Sequence, residues 1–167
     1  MSRYGLLIIG ALALIVLGGS GCGYTTGAPF RSGIETVHVE PFGSREFRRN
    51  LEDQLTEAVQ KQIGRVTPYR LAPKSRADTL LTGEVLEVRQ AAFAPDPRSR
   101  LPREKQMTLA VRVQWKDLRT GKMLLDQPIM LDAADYLPGA GESEKYTQEK
   151  VIARLSERIV QAMYDEW

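Results

Sequence analysis

Cysteine and histidine are almost missing from this chain: among its 167 residues there is one of each, Cys22 and His38. One cysteine excludes an internal disulfide. With one His and one Cys, zinc-type ligand clusters are ruled out by count, and a Ser-His-Asp or Cys-His arrangement has few members to draw on. No G-x-x-x-x-G-K-[ST] phosphate loop occurs. Neither sign of charge prevails, with 23 Lys+Arg against 21 Asp+Glu and a net charge of +2. Overall charge therefore gives no ground for nucleic-acid binding. The N-terminal apolar run, Leu6 to Leu17, falls short of the about 20 residues that a membrane-spanning helix needs.

What is present begins at that N-terminus. Met1 to Tyr4 carries one positive charge, Arg3, and the apolar run follows. Gly18-Gly19-Ser20-Gly21 are all small, and Cys22 comes next. Basic start, apolar middle and small residues at the cut are the order of a secretory signal peptide, here residues 1–21. A cysteine directly after the small residues resembles a bacterial lipobox, which implies cleavage before Cys22 and lipid on its sulfur and amine. The chain departs from that pattern at Gly19, where leucine is usual. Residues 22–33, rich in Gly, Thr and Pro, read as a lipidated tether, and 34–167 as one domain. A chain of that size can bury a core without staples.

Thr36 to Glu40 is a strand candidate closed by Pro41 and Gly43. Ser44 is placed to cap a helix with Glu46 in its first turn. Phe47, Leu51, Leu55, Ala58, Val59 and Ile63 give that helix one apolar stripe, with Gly64 as its stop. Tyr69-Arg70-Leu71 is a brief extended piece. Thr79 to Ala92 reads as a longer strand in which Gly83 marks a bulge or a close approach. Pro95 to Arg103 reads as a loop. From Gln106 the alternation is the cleanest in the chain: Met107, Leu109, Val111, Val113 and Trp115 on one face, Thr108, Ala110, Arg112, Gln114 and Lys116 on the other. Asp117 to Lys122 is a hairpin turn. Met123 to Ala133 returns as a strand, with Pro128 at an edge or a bulge. After a break at Pro138 to Gly141, a last helix carries Ile152, Leu155, Ile159, Ala162 and Met163. The order β-α-β-β-β-β-α predicts an α+β two-layer sandwich, a mostly antiparallel sheet with two helices on one face. Arg112, Gln114 and Lys116 are left on the other face, toward water or a polar partner.

Catalytic signals are few. His38 lies mid-strand with no motif to orient it and reads as structural. Glu84 and Glu87 fall on opposite sides of a regular strand, as do Asp132 and Asp135, so neither is a paired-carboxylate site. Basic residues gather between 61 and 105 and acidic ones between 126 and 149, which suggests a basic and an acidic end or simply a solvated surface. The best binding candidate is Arg98, Arg100, Arg103 and Lys105. Guanidinium groups grip phosphate in a two-pronged way, and Leu101 lies among them. The same segment also reads as a solvated, proline-stiffened hairpin loop.

Taken together, Gly21-Cys22-Gly23-Tyr24, the strand Ile34-Glu35-Thr36-Val37-His38-Val39-Glu40-Pro41-Phe42, the helix with Leu51 and Leu55, the entry Ala77-Asp78-Thr79-Leu80-Leu81-Thr82-Gly83-Glu84-Val85 and the C-terminal helix resemble the LptE family of lipopolysaccharide-assembly lipoproteins. The resemblance implies a non-enzymatic protein with no cofactor and no metal. It implies an anchor in the outer membrane on its periplasmic side, an LptD-type β-barrel partner that it plugs and helps assemble, and contact with lipopolysaccharide. Gly23 is not the aspartate that marks inner-membrane retention. Two other readings stay open: an accessory of another envelope transporter or of a cell-wall synthesis complex, and an anchored hydrolase. The hydrolase would need a pocket holding His38 beside a carboxylate and a hydroxyl. Stable anchoring takes more than one acyl chain, so Cys22→Ser is expected to move the protein into the soluble periplasmic fraction on cell fractionation. A variant that stayed membrane-bound with no partner present would overturn the anchor.

Overall fold

The computed structural model describes residues 30–45, 50–95 and 102–164. Its centre is strand β5 (Pro102–Asp117), hydrogen-bonded on one side to β4 (Thr79–Pro95) and on the other to β6 (Met123–Tyr136), both antiparallel. Met107, Leu109, Val111, Val113 and Trp115 of β5 are all buried, as their alternation predicts. They form the floor on which helices α1 (Leu51–Val66) and α2 (Glu144–Gln161) lie. The rest of the sheet is short. β1 (Thr36–Val39) runs parallel between β3 (Arg70–Leu71) and β4, and β2 (Gly43–Ser44) runs parallel to β4 further along. The sheet order is β3-β1-β4-β5-β6, so the α+β sandwich has a mixed sheet: the long ladders are antiparallel and the three short ones parallel.

Each helix shows its core stripe. Leu51, Leu55, Val59 and Ile63 of α1 are buried, and Val151, Ile152, Leu155, Ile159 and Val160 do the same in α2. Ser143 caps α2, its Oγ accepting from the Tyr146 N–H at 3.2 Å. Two boundary expectations for α1 are corrected. Ser44 does not cap a helix, because its backbone pairs with Val85 as part of β2. The N-cap is Asn50, in a left-handed conformation (φ 65°) that asparagine tolerates better than most residues. Gly64 does not end the helix, which continues to Val66. A helical glycine costs only about 1 kcal/mol, and the packed Ile63 beside it holds the last turn. Phe47 and Glu46 lie outside the described residues.

The loop expected from Pro95 to Arg103 is shorter than its prolines suggest. β4 runs through Pro95 and β5 starts at Pro102, and these two residues face each other in the register. Pro128 marks both an edge and a bulge: β6 is the outermost strand, and the register slips between Val111 and Val113 of β5, opposite Pro128 and Ile129. A second bulge, at Leu86, corrects the expectation for Glu84 and Glu87. The extra residue reverses the side-chain phase of β4, so both glutamates lie on the helix-free face, Glu84 opposite Arg112 and Glu87 opposite Ala110. They still form no carboxylate pair, because Glu84 is bound by Arg45 and Glu87 by Arg89.

Gly83 is the close approach. The Phe42 ring lies against it, and a Cβ there would stand 2.4 Å from Phe42 Cε2. The Phe42 N–H in turn donates to Thr56 Oγ1 of α1 at 3.0 Å. One contact thus joins the β1–β2 segment, β4 and α1. Gly83→Ala is expected to cost about 1–3 kcal/mol by overpacking, read as a lower urea midpoint. In a double-mutant cycle, the Gly83→Ala cost should shrink markedly when Phe42 is already Leu. An unchanged cost would mean that the ring is not what excludes the side chain.

Candidate functional site

The helix-free face of the sheet is where the bulges matter. Near the Trp115 end it is polar, as expected: Thr82, Glu84, Arg112 and Gln114 line a shallow depression of about 240 Å³. Beyond the bulges it changes character. Leu86, Ala110, Ile129 and Leu131, with Glu87, Arg89 and Thr108, line an open groove of about 480 Å³. Ile129 is 60% exposed and Leu131 52%. Sequence reading missed this strip because a regular alternation through β4 and β6 puts the wrong residues on this face. The bulge anticipated at Pro128 was the one signal that could have shown it.

The charges beside the groove are already paired. Arg45 grips Glu84 with two bonds, Nε to Oε1 at 2.8 Å and Nη2 to Oε2 at 3.0 Å. These bonds hold the Glu84 carboxyl below its ordinary range and raise the Arg45 guanidinium. Arg89 holds Glu87 at 2.8 Å. The face therefore offers an apolar strip bordered by self-neutralised ion pairs, which suits aliphatic surface better than a free anion.

The sequence-derived basic cluster is placed only in part. Arg98 and Arg100 lie outside the described residues. Arg103 falls within β5, and nothing of its side chain is described. Lys105 is half-buried at the register position between Ala92 and Tyr136, on the helix side of the sheet. His38 accompanies Val37, Val39, Gln60, Leu71, Ala72 and Pro73 in a shallow depression that holds neither a carboxylate nor a hydroxyl. Its Nδ1 lies 2.9 Å from the Ala72 carbonyl oxygen, a bond that ties β1 to the segment after β3. Among the described residues, the arrangement that a hydrolase would need is not present around it. Asp132 and Asp135 face opposite sides, the first bound by Arg154 and the second by Gln106.

The segment that leads into β1 is fastened at the Trp115 end. Phe30 makes edge-on contacts with Tyr69 and Tyr164, at ring separations of 5.7 and 5.0 Å. The Arg31 N–H donates to Tyr69 Oη at 3.1 Å, and its guanidinium lies over the Trp115 ring. Asp78 completes the fastening. Its Oδ2 accepts from the N–H groups of Glu35 and Thr36 and from Thr36 Oγ1, at 2.9–3.1 Å. The hairpin end of β4 and β5 is at the opposite pole. The 17 residues of β4 span about 50 Å at roughly 3.3 Å per residue.

These features define an elongated α+β module, fastened by its N-terminal segment at one end, with a helix-backed sheet that presents its other face and a long hairpin. The family model for LptE, lipopolysaccharide assembly, matches residues 34–167, and the chain belongs to that family. None of the curated proteins matches it. The fold is shared with the hypothetical protein CT253 from Chlamydia trachomatis, at TM-score 0.56 and 13% identity over 77% of this chain and 94% of that one. It is also shared with PelC, a dodecamer from Paraburkholderia phytofirmans (TM-score 0.51, 14% identity, 79% and 93% coverage). A third example is lipoprotein B from Nitrosomonas europaea (TM-score 0.51, 10% identity, 79% and 84% coverage). At these identities the likeness is one of fold.

The hydrogen bonds from Glu35 and Thr36 hold the Asp78 carboxyl below the usual aspartate range. A depressed native value stabilises the fold above the unfolded value of about 3.9 and loses that contribution as pH falls through the native value. Urea midpoints of the wild type are therefore expected to drop below about pH 4. Asp78→Asn should start lower at pH 7 and fall less steeply. Parallel curves for the two proteins would show that this carboxylate does not carry the acid sensitivity.

Proposed function

We propose that this protein is an outer-membrane lipoprotein, held by lipid on Cys22 at the periplasmic side, that assembles with and plugs an LptD-type β-barrel and assists lipopolysaccharide transport to the cell surface. Membership of the LptE family over residues 34–167 is the observation that carries this reading. The anatomy supports it. Phe30, eight residues after Cys22 in the sequence, is fastened at the Trp115 end, and Pro95 and Pro102, between which Arg98 and Arg100 fall in the sequence, face each other at the opposite end of β4 and β5. The polar interior of a large barrel suits a module whose open face carries paired charges, Arg45 with Glu84 and Arg89 with Glu87. The Nitrosomonas europaea protein of the same fold is itself a lipoprotein, in line with the anchor. The role is one of assembly and contact and asks for no catalytic residue.

Arg98, Arg100, Arg103 and Lys105 are our candidates for contact with lipopolysaccharide phosphates through charge-assisted hydrogen bonds. The test is a crosslinked pull-down of the tagged protein from outer membranes, with mass spectrometry and lipopolysaccharide quantitation. One large β-barrel protein should come down in near-equal amount. Replacing Arg98, Arg100 and Arg103 together by Ala should weaken lipopolysaccharide binding by about tenfold or more, each tenfold being about 1.4 kcal/mol, and leave the barrel bound. Recovery of inner-membrane transporter subunits or cell-wall synthases in place of a barrel would overturn the proposal.

A further inference from the structure

The two depressions of the helix-free face meet end to end on β5. Ala110 belongs to the apolar groove, and Arg112 and Gln114 belong to the polar depression with Thr82 and Glu84. Ala110 and Arg112 point the same way two residues apart, about 6.6 Å at roughly 3.3 Å per residue. An aliphatic trough of about 480 Å³ therefore ends at a polar hollow of about 240 Å³. The hollow also carries a spare charge. Both oxygens of Glu84 are taken by Arg45. Arg112 stands opposite Glu84 in the β4–β5 register, is exposed, and makes no hydrogen bond or ion pair among the described residues.

The walls of the trough narrow the choice of occupant. Ile129 and Leu131, its most exposed apolar members, belong to β6, at the other side of the sheet from β2. A polypeptide strand would need backbone groups to pair with. The β6 edge has two of its carbonyls occupied: Arg158 donates to the Leu131 oxygen and Arg154 to that of Ala133. The charges beside the trough, Glu87 and Arg89, hold one another. A hydrocarbon chain asks for no hydrogen bond and no counter-ion, and seating it removes apolar surface of both partners from water. The free guanidinium at the end of the trough gives such a chain's anionic head its complement.

We propose that the trough seats one acyl chain of a lipopolysaccharide, with the phosphorylated sugar head of the lipid at Arg112. This seat, which rests on the transport reading above, is separate from the basic hairpin residues and holds the aliphatic part of the cargo. Thr82, Gln114 and Arg112 offer the head a hydroxyl, an amide and a guanidinium, groups that suit a phosphorylated sugar better than a bare phosphate. A plug with this strip gives a hydrocarbon chain an apolar surface inside a lumen that is otherwise polar.

The test is photocrosslinking in living cells from a benzophenone amino acid, which inserts into nearby C–H bonds, placed at one position of the full chain. From Ile129 or Leu131 the adduct should carry lipopolysaccharide, identified by antibody and by mass. From Glu57, exposed on α1, and from Thr120, in the turn at the Trp115 end, lipopolysaccharide adducts should be several-fold weaker. Leu131→Asp sets a charge in the trough and should cut the Ile129 adduct several-fold, and Arg112→Glu should cut it as well. Both side chains are exposed, so the fold tolerates the changes. No lipopolysaccharide adduct at Ile129 or Leu131 above the Glu57 level would overturn the proposal. So would an Ile129 adduct that Leu131→Asp leaves unmoved, or an adduct with the mass of a phospholipid or of a protein, which would give the trough to another lipid or to the barrel wall. A pull-down of the wild type from the same cells keeps the two readings apart. A barrel recovered without the lipid adduct sinks the seat alone, and the lack of any barrel sinks the transport reading with it.

Discussion

Strand β5 is the constraint on which the molecule depends. It is hydrogen-bonded on both sides, and its buried row from Met107 to Trp115 is unbroken by any extra residue. Both helices must cover that row, since leaving it in water would forfeit about 1.5–3 kcal/mol for each large apolar side chain. Irregularity is therefore pushed outward, into β4 and β6, which each bulge against a straight neighbour. The apolar strip of Leu86, Ile129 and Leu131 follows from those bulges. A two-layer sandwich would otherwise turn a uniformly polar face to its surroundings.

The legible parts of the sequence are those where one physical period holds without interruption. The alternation of β5, the stripes of both helices and the turn after Asp117 could be read from residues alone, and with them the α+β layering. The unread parts are those set by backbone pairing. Gly43 and Ser44 form a strand only because β4 offers them partners, and no side-chain pattern announces it. The facing of Glu84 and Glu87 needed knowledge of one extra residue. Gly83 was ambiguous between bulge and close approach until the Phe42 ring was seen against it. At the candidate site, the basic residues were visible as composition, but the half-buried, helix-side position of Lys105 was not, because the loop boundary was drawn at the prolines rather than between them.

Polar interactions in this protein act mainly as fasteners. Asp78 binds the start of β1, Thr56 holds Phe42 to α1, and His38 ties β1 to Ala72. Each joins segments far apart in sequence, which a chain without disulfides needs. Beside the groove Arg45 pairs with Glu84 and Arg89 with Glu87, so the groove is defined by shape and aliphatic surface. The long hairpin then sets two poles apart. The N-terminal segment is fastened near Trp115, and Pro95 and Pro102 face each other at the far one.

The bulge at Leu86 also sets how errors in this chain are felt. Pairing Leu86 as a regular residue would restore strict alternation in β4, and in doing so would turn Val88 out to solvent and drive Glu87 and Arg89 under the helices. The straight partner β5 could not compensate, because its own row is fixed by Trp115 and Val113 at the other end. The outer half of the hairpin therefore shares one reading frame with the core, and the arm and the helix-covered body are bound to form together as a single cooperative unit.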